Sequence, residues 1–197
     1  MIALVYWSLL SFLPVPESST DYNYQTYYDI LKNDKIIGYM MCSKVEKSET
    51  VEYITESSAR FSVLIDISVY SKLQSSFSNG KLLDGRLIRQ VNGKTKADRQ
   101  IAWEQDQYLI KSDGRSLSFK SKISFSTACL MYAEPSGMTS IFSENFGQYV
   151  AINETTPHRY VLTLPDGKDN IYTYHNGKCT EVEVHTSLAT VYIKLRK

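Results

Sequence analysis

The chain has 197 residues, enough for one domain with a substantial core, and its 43% hydrophobic and 22% charged residues are ordinary globular proportions. Lys and Arg number 22 against 21 Asp and Glu, a formal charge of +1, which leaves no field to draw in nucleic acid or an anionic membrane. Tyrosine stands out, with 15 residues against 9 Gly and 5 Pro; its apolar ring and polar tip suit pleated, half-buried surfaces, so the excess favours strands.

In chain order, Ile2 to Leu13 is an uncharged apolar run, too short to span a bilayer and of the length of a signal-peptide core. Pro14, Pro16 and a polar stretch from Glu17 to Asp21 follow. Neither a basic residue before the run nor a small-x-small cleavage site accompanies it. The expectation is a leader over residues 1–20, one antiparallel β domain over 21–197, and an exported protein, periplasmic or extracellular. No later stretch has membrane length, so an integral membrane protein is not expected.

Beyond the leader, turn dipeptides punctuate the chain: Asn33-Asp34, Asn79-Gly80, Asn92-Gly93, Asp113-Gly114, Asp166-Gly167 and Asn176-Gly177. Such pairs tolerate the positive φ of two-residue hairpin turns. Asp84-Gly85 lies too close to Asn79-Gly80 to close a hairpin and reads as a bulge. Between the turns, strands are predicted over Tyr24–Lys32, Lys35–Val45, Lys81–Val91, Lys96–Glu104, Gln107–Ser112 and Arg115–Phe125. They continue over His158–Leu164, Asn170–His175, Thr180–His185 and Thr190–Leu195. From Val51 to Leu73 apolar residues fall mainly at odd positions and polar ones at even positions, broken by Ile54, Leu64 and Tyr70. This predicts two strands joined near Leu64 to Ser68, with Val63 and Ile65 on the buried face.

One segment breaks the rhythm. Ser126 to Ala133 offers an N-cap and helix formers, stopped by Glu134-Pro135, and Pro135 to Gly147 is apolar without a period. The predicted fold is therefore mainly β: a long antiparallel meander forming a strongly curved sheet or unclosed barrel, with one short helix and a lid segment near 126–147.

Several short motifs carry a resemblance. They are Tyr27 to Lys32 followed by Lys35 to Gly38; Leu130 to Gly147 with Tyr132, Glu134-Pro135, Phe142-Ser143-Glu144 and Phe146-Gly147; and Tyr160, Leu162, Leu164 to Gly167, Tyr172, Tyr174 and Asn176-Gly177. Together they resemble a group of uncharacterised exported bacterial β-proteins, a domain of unknown function. The resemblance implies a fold and an envelope location, and carries over no catalytic residue. More distantly the layout is similar to the lipoprotein-localisation carriers, in which an unclosed antiparallel barrel wraps around helices and leaves an apolar cavity. This chain departs from them in having one short helix instead of several.

Catalytic signatures are weak. His158, His175 and His185 fall on separate predicted strands, without the close spacing of metal ligands. No G-x-S-x-G occurs. Cys129 is placed near the start of the predicted helix, where the dipole would lower a thiol pKa, so a Cys–His pair stays open as a third-ranked, esterase-like reading. Cys42, Cys129 and Cys179 allow at most one disulfide, in any of three pairings, or three buried thiols. Glu181 and Glu183 alternate with Val182 and Val184 as a solvated face does. No metal or cofactor is expected.

The set with functional weight is aromatic and apolar: Trp103, Leu130, Met131, Tyr132, Met138, Phe142, Phe146 and Tyr149, expected to line a groove beneath the lid. The preferred function is a non-catalytic envelope protein that binds an apolar ligand or a partner chain in a curved β-sheet groove. The alternative is a structural or protein-interaction module using a sheet edge and a tyrosine-rich surface.

Overall fold

The computed structural model describes residues 24–62, 65–112, 114–186 and 189–197. The predicted leader, together with Val63 and Leu64, lies outside them. The first eight strands are β1 Tyr24–Lys32, β2 Lys35–Lys47, β3 Thr50–Ser62, β4 Asp66–Ser78, β5 Lys81–Val91, β6 Lys94–Glu104, β7 Gln107–Ser112 and β8 Arg115–Phe119. After a 3-10 turn at Thr127–Cys129 come β9 Ser140–Ser143, β10 Gln148–Thr156, β11 Arg159–Thr163, β12 Asp169–His175, β13 Lys178–His185 and β14 Thr190–Leu195.

All fourteen belong to one antiparallel sheet in the order β8-β7-β6-β5-β4-β3-β2-β1-β14-β13-β12-β11-β10-β9. Two meanders, β1 to β8 and β9 to β14, are thus zipped together by β1 against β14, with Tyr28 opposite Leu195 and Ile30 opposite Ile193. β8 and β9 are the two edges and do not pair, so the barrel stays open. No described helix is long and apolar enough to cross a membrane.

Turn chemistry sets this topology. Both central residues have positive φ at Asn33-Asp34 (49°, 60°), Asn79-Gly80 (49°, 64°), Asn92-Gly93 (49°, 73°) and Asn176-Gly177 (50°, 72°), which matches the twist of the flanking strands. Gln105-Asp106 does the same (49°, 60°) without a glycine. Asp166-Gly167 differs: only Gly167 has positive φ, and the pair sits in a longer loop in which the Leu164 N–H donates to the Lys168 carbonyl at 2.8 Å. The expected bulge is present, since Leu83 is skipped between Leu82 opposite Phe77 and Asp84 opposite Ser76.

Gly38, part of the first resemblance motif, has a steric reason. It pairs with Ile30 and Ala59, and a Cβ there would stand 2.1 Å from the Ser58 carbonyl oxygen. β2 and β3 approach each other through the missing side chain.

Successive connections reverse direction, so the turns sort to two ends. The β1–β2, β3–β4, β5–β6, β11–β12 and β13–β14 turns share one end; the β2–β3, β4–β5, β6–β7, β10–β11 and β12–β13 turns share the other. The crossover between the edges, residues 120–139, closes this second end from inside. Three sequence expectations change here. The helix over Ser126 to Ala133 is a single 3-10 turn, Thr127–Cys129. The strand over Arg115 to Phe125 stops at Phe119, where the chain leaves the edge to enter the interior. β9 and β10, unpredicted, form within and after the aperiodic segment.

Crossover backbone inside a barrel needs hydrogen-bond partners, and tyrosines supply them. The Tyr108 hydroxyl accepts from the Ile123 N–H (3.3 Å) and donates to the Leu82 carbonyl (2.9 Å), while Leu82 N–H donates to the Ile123 carbonyl at 2.8 Å. Tyr149 donates to the Lys122 carbonyl (2.9 Å) and Tyr174 to that of Leu130 (2.8 Å). Tyr160 donates to the Glu134 carboxylate at 2.8 Å, and the Tyr132 hydroxyl lies 2.8 Å from the carbonyls of both Ser43 and Ile54.

The odd positions of β3 and β4 share one face, as Thr55 opposite Leu73 and Ser57 opposite Ser71 show. That alternation ends before Ile65, which is 67% exposed in the β3–β4 turn and not buried as expected; Ile67, two residues on, is 9% exposed. No Gly or Asn marks this turn, so period two ran past it. Ile67→Asp should cost on the order of 3–5 kcal/mol of the roughly 5–15 kcal/mol total, by burying an unpaired carboxylate. Ile65→Asp should stay within about 0.5 kcal/mol, with urea denaturation of the two variants as the check.

Candidate functional site

The inner face is not filled throughout. Across β1 to β6 the in-register row reads Tyr28, Met40, Ser57, Ser71, Arg89 and Ala97. One row further towards the plugged end it reads Thr26, Cys42, Thr55, Leu73, Leu87 and Arg99. In these two rows the inward side chains of β3 and β4 are short, Thr55, Ser57 and Ser71, with Leu73 the exception. Facing them across the interior are Leu162 on β11, Tyr172 on β12, Val182 and Val184 on β13 and Ile193 on β14. Between the two walls lies a groove of about 570 Å³.

The groove has an apolar depth and a charged mouth. Met131 from the crossover lines its inner end with Met40, Leu73 and Leu87. Arg89, Asp166, Lys168 and His185, each near the open-end turns, line it towards solvent. Lys168 Nζ donates to Asp166 Oδ2 at 2.6 Å, and this hydrogen bond holds the Asp166 carboxyl below the usual carboxylate range. His185 Nε2 lies 2.8 Å from Glu183 Oε1.

A second charged group lies beside the groove and is closed off from it. Glu144, in the β9–β10 turn, is 0% exposed. Its Oε1 accepts from Ser75 Oγ at 2.9 Å and from Ser126 Oγ, and its Oε2 from Thr127 Oγ1 at 2.6 Å. These bonds tie β4, the crossover and β9 together, and hydroxyl donors offset part of the cost of burying a carboxylate.

The eight predicted site residues divide. Met131, itself buried in a core cluster, and Phe146 line the groove. Leu130 is fully buried in a core cluster with Tyr28, Tyr160 and Tyr174, and Tyr132 and Met138 pack against that cluster. Phe142 is fully buried in a second cluster, stacked on Phe119 at 5.8 Å, and Trp103 packs on its edge against Tyr108 at 4.8 Å. Tyr149 is 41% exposed and contacts Phe142 edge-on. Sequence reasoning missed the wall residues Met40, Ser57, Ser71, Leu73, Leu87 and Arg89. The available signal was small hydroxyl residues, then an arginine, in the inward register of strands that otherwise bury apolar groups.

The thiols and imidazoles do not gather. Cys42, Cys129 and Cys179 are all free and buried. Burial pushes Cys129 up to about 12, with Glu144 adding in the same direction, which removes the thiolate expected of a cysteine at a helix start. His158 sits in the β10–β11 turn 2.9 Å from Glu134, His175 ends β12 and His185 ends β13. Among the described residues no group of His, Cys, Asp and Glu could hold a metal ion.

A fourteen-stranded antiparallel sheet that curls around its own crossover and leaves its edges unpaired defines a β-barrel-like protein. The chain belongs to the family described as domain of unknown function (DUF6134), whose model it matches over residues 28–196. It is similar to a solved structure described as a beta-barrel-like protein of domain of unknown function DUF1849 from Brucella abortus. That likeness has a TM-score of 0.54 at 14% identity, covers 88% of this chain and 95% of the other, and is one of fold alone. No curated protein sequence matches the chain.

Both Phe142 and Met131 are buried, but only Met131 borders the groove. Phe142→Ala should cost about 3–5 kcal/mol, the range for a filled aromatic site, whereas Met131→Ala, against space already empty, should fall below the roughly 2 kcal/mol lower limit for Met. Chemical denaturation of both variants measures the difference.

Proposed function

We propose that this chain is a non-catalytic protein of the cell envelope that binds an apolar chain in the groove of its curved sheet. The observation that carries the reading is the interior gap of about 570 Å³, set by short side chains on β3 and β4 and floored by Met40, Leu73, Leu87 and Met131. This volume falls within the roughly 300–1,000 Å³ of small-molecule sites, and the apolar residues at its depth favour an apolar portion of the occupant by removing both surfaces from water. Titration with a fluorescent fatty-acid probe tests it: wild-type protein should bind with enhanced emission. Ser71→Trp, which fills the gap from β4, should abolish the signal while keeping a cooperative melt. A wild-type protein that leaves the probe dark would end the reading.

The envelope part of the proposal rests on the Ile2 to Leu13 run. Protein recovered from its own host should therefore lack that run on N-terminal sequencing; an intact Met1 or Ile2 on the soluble protein would count against export.

The alternative, an interaction module, is favoured by one feature. Among the described residues β8 pairs only with β7, all but the last of its residues are exposed, and Leu117 is 64% exposed. An edge of this kind offers unpaired backbone groups to another strand.

A further inference from the structure

We propose that the occupant of the groove is an anionic amphiphile, a single apolar tail ending in a carboxylate or phosphate, and that Arg89 selects its head. The inference rests on the groove reading above and adds the charge of the ligand.

Arg89 is unlike the other arginines of the chain. Arg86 pairs with Asp98, Arg159 with Glu183 and Arg196 with Asp29. Arg99 donates to the Glu144 carbonyl and to Ser112 Oγ. Arg60 and Arg115 are exposed to water. Arg89 alone is partly buried, turned to the inner face of the sheet between Leu87 and Val91, and without an ion pair or hydrogen bond to its guanidinium among the described residues. An inward cation that lacks a counter-charge loses hydration without compensation. A ligand anion would restore it.

The neighbours are donors too. Ser71 on the adjoining β4, and Ser57 on β3 beyond it, stand in register with Arg89, and Asn145 lines the same groove. The carboxylates nearby are already engaged: Asp166 is held by Lys168 and Glu144 by three hydroxyls. The other basic groups at the mouth are Lys168, in that pair, and His185, beside Glu183. A guanidinium with flanking hydroxyls matches the fork geometry of a carboxylate or phosphate, where charge-assisted bonds are strongest.

Position agrees with chemistry. Arg89 lies two residues from the end of β5 and its turn into β6, at the open end, while Met131 belongs to the crossover that closes the opposite end. An occupant would place its head at Arg89 and run its tail inward past Leu87 and Leu73 towards Met131.

Isothermal titration of the full chain with decanoate, decyl phosphate and decanol tests this. Wild-type protein should bind one or both anions about ten-fold or more tighter than the alcohol, and the tighter anion tells a fatty carboxylate from a phosphate head. Arg89→Gln should bring anion affinity down to that of decanol and leave decanol unchanged; Arg89→Lys should recover part of it. Raising salt on the wild-type protein gives the same reading without a variant, weakening the anions and sparing the alcohol. Equal binding of all three ligands, or anion affinity unmoved by Arg89→Gln and by salt, would overturn the assignment of the head and leave the apolar groove standing. No binding of any of the three would overturn the groove reading itself.

Discussion

A sheet of fourteen strands curls around more space than its inward side chains can fill. About eight strands is the size at which side chains alone pack a barrel, so a larger sheet demands something else inside. Here that is the chain itself. The edges β8 and β9 never meet because the segment between them passes through the interior, and its route decides which parts of the barrel are solid and which are hollow. Leu130, Ile141 and Phe142 pack one part with no exposed surface, while the short residues of β3 and β4 face the part the segment does not reach.

An irregular segment inside a barrel brings polar backbone that no ladder satisfies. The tyrosine excess answers that need. Rings of Tyr108, Tyr132, Tyr149, Tyr160 and Tyr174 pack in or beside the core, and their hydroxyls reach crossover or strand groups. A phenylalanine at these places would preserve the packing and remove the hydroxyl's hydrogen bond. Tyr28 does similar work across the seam of the two meanders, donating to the Cys179 carbonyl at 2.9 Å. Tyrosine is thus the residue that lets a β-barrel hold a non-β filling.

Two of the charged groups turned inward, Glu144 and Arg89, are treated in opposite ways. Glu144 has both carboxylate oxygens occupied and joins three stretches of chain, which is what a structural acid does. Arg89 has no such company among the described residues. The edges differ likewise. β9 is partly covered, since Phe142 N–H donates to the Phe125 carbonyl at 3.2 Å and Ser126 bridges Phe142 in parallel, whereas among the described residues β8 pairs on one side only. The barrel is therefore finished on one edge and unfinished on the other, with a slit lined by Arg99, Arg115, Leu117 and Phe146 between them.

Local rules were legible in the residues. Asn-Gly pairs, period-two alternation and the Asp84-Gly85 bulge determined nearly every hairpin of β1 to β7 and β11 to β14, because turn φ angles and side-chain facing depend on a few neighbouring residues. The same rules failed where tertiary contact overrode them. Neither Gly nor Pro interrupts the run at Lys120, yet the strand ends at Phe119 because the chain must leave the edge, and Ser140–Ser143 becomes a strand because β10 stands beside it. The candidate site was the least legible part. Its aromatic members were read from the crossover, and most proved to be core, while the groove is built by short residues on β3 and β4 facing β11 to β14 across the interior. Sequence determined which side chains point inward; only the curvature of the open sheet, with its two meanders joined by β1 and β14, decided whether anything met them there, because an empty space is a property of two walls and neither wall encodes its distance from the other.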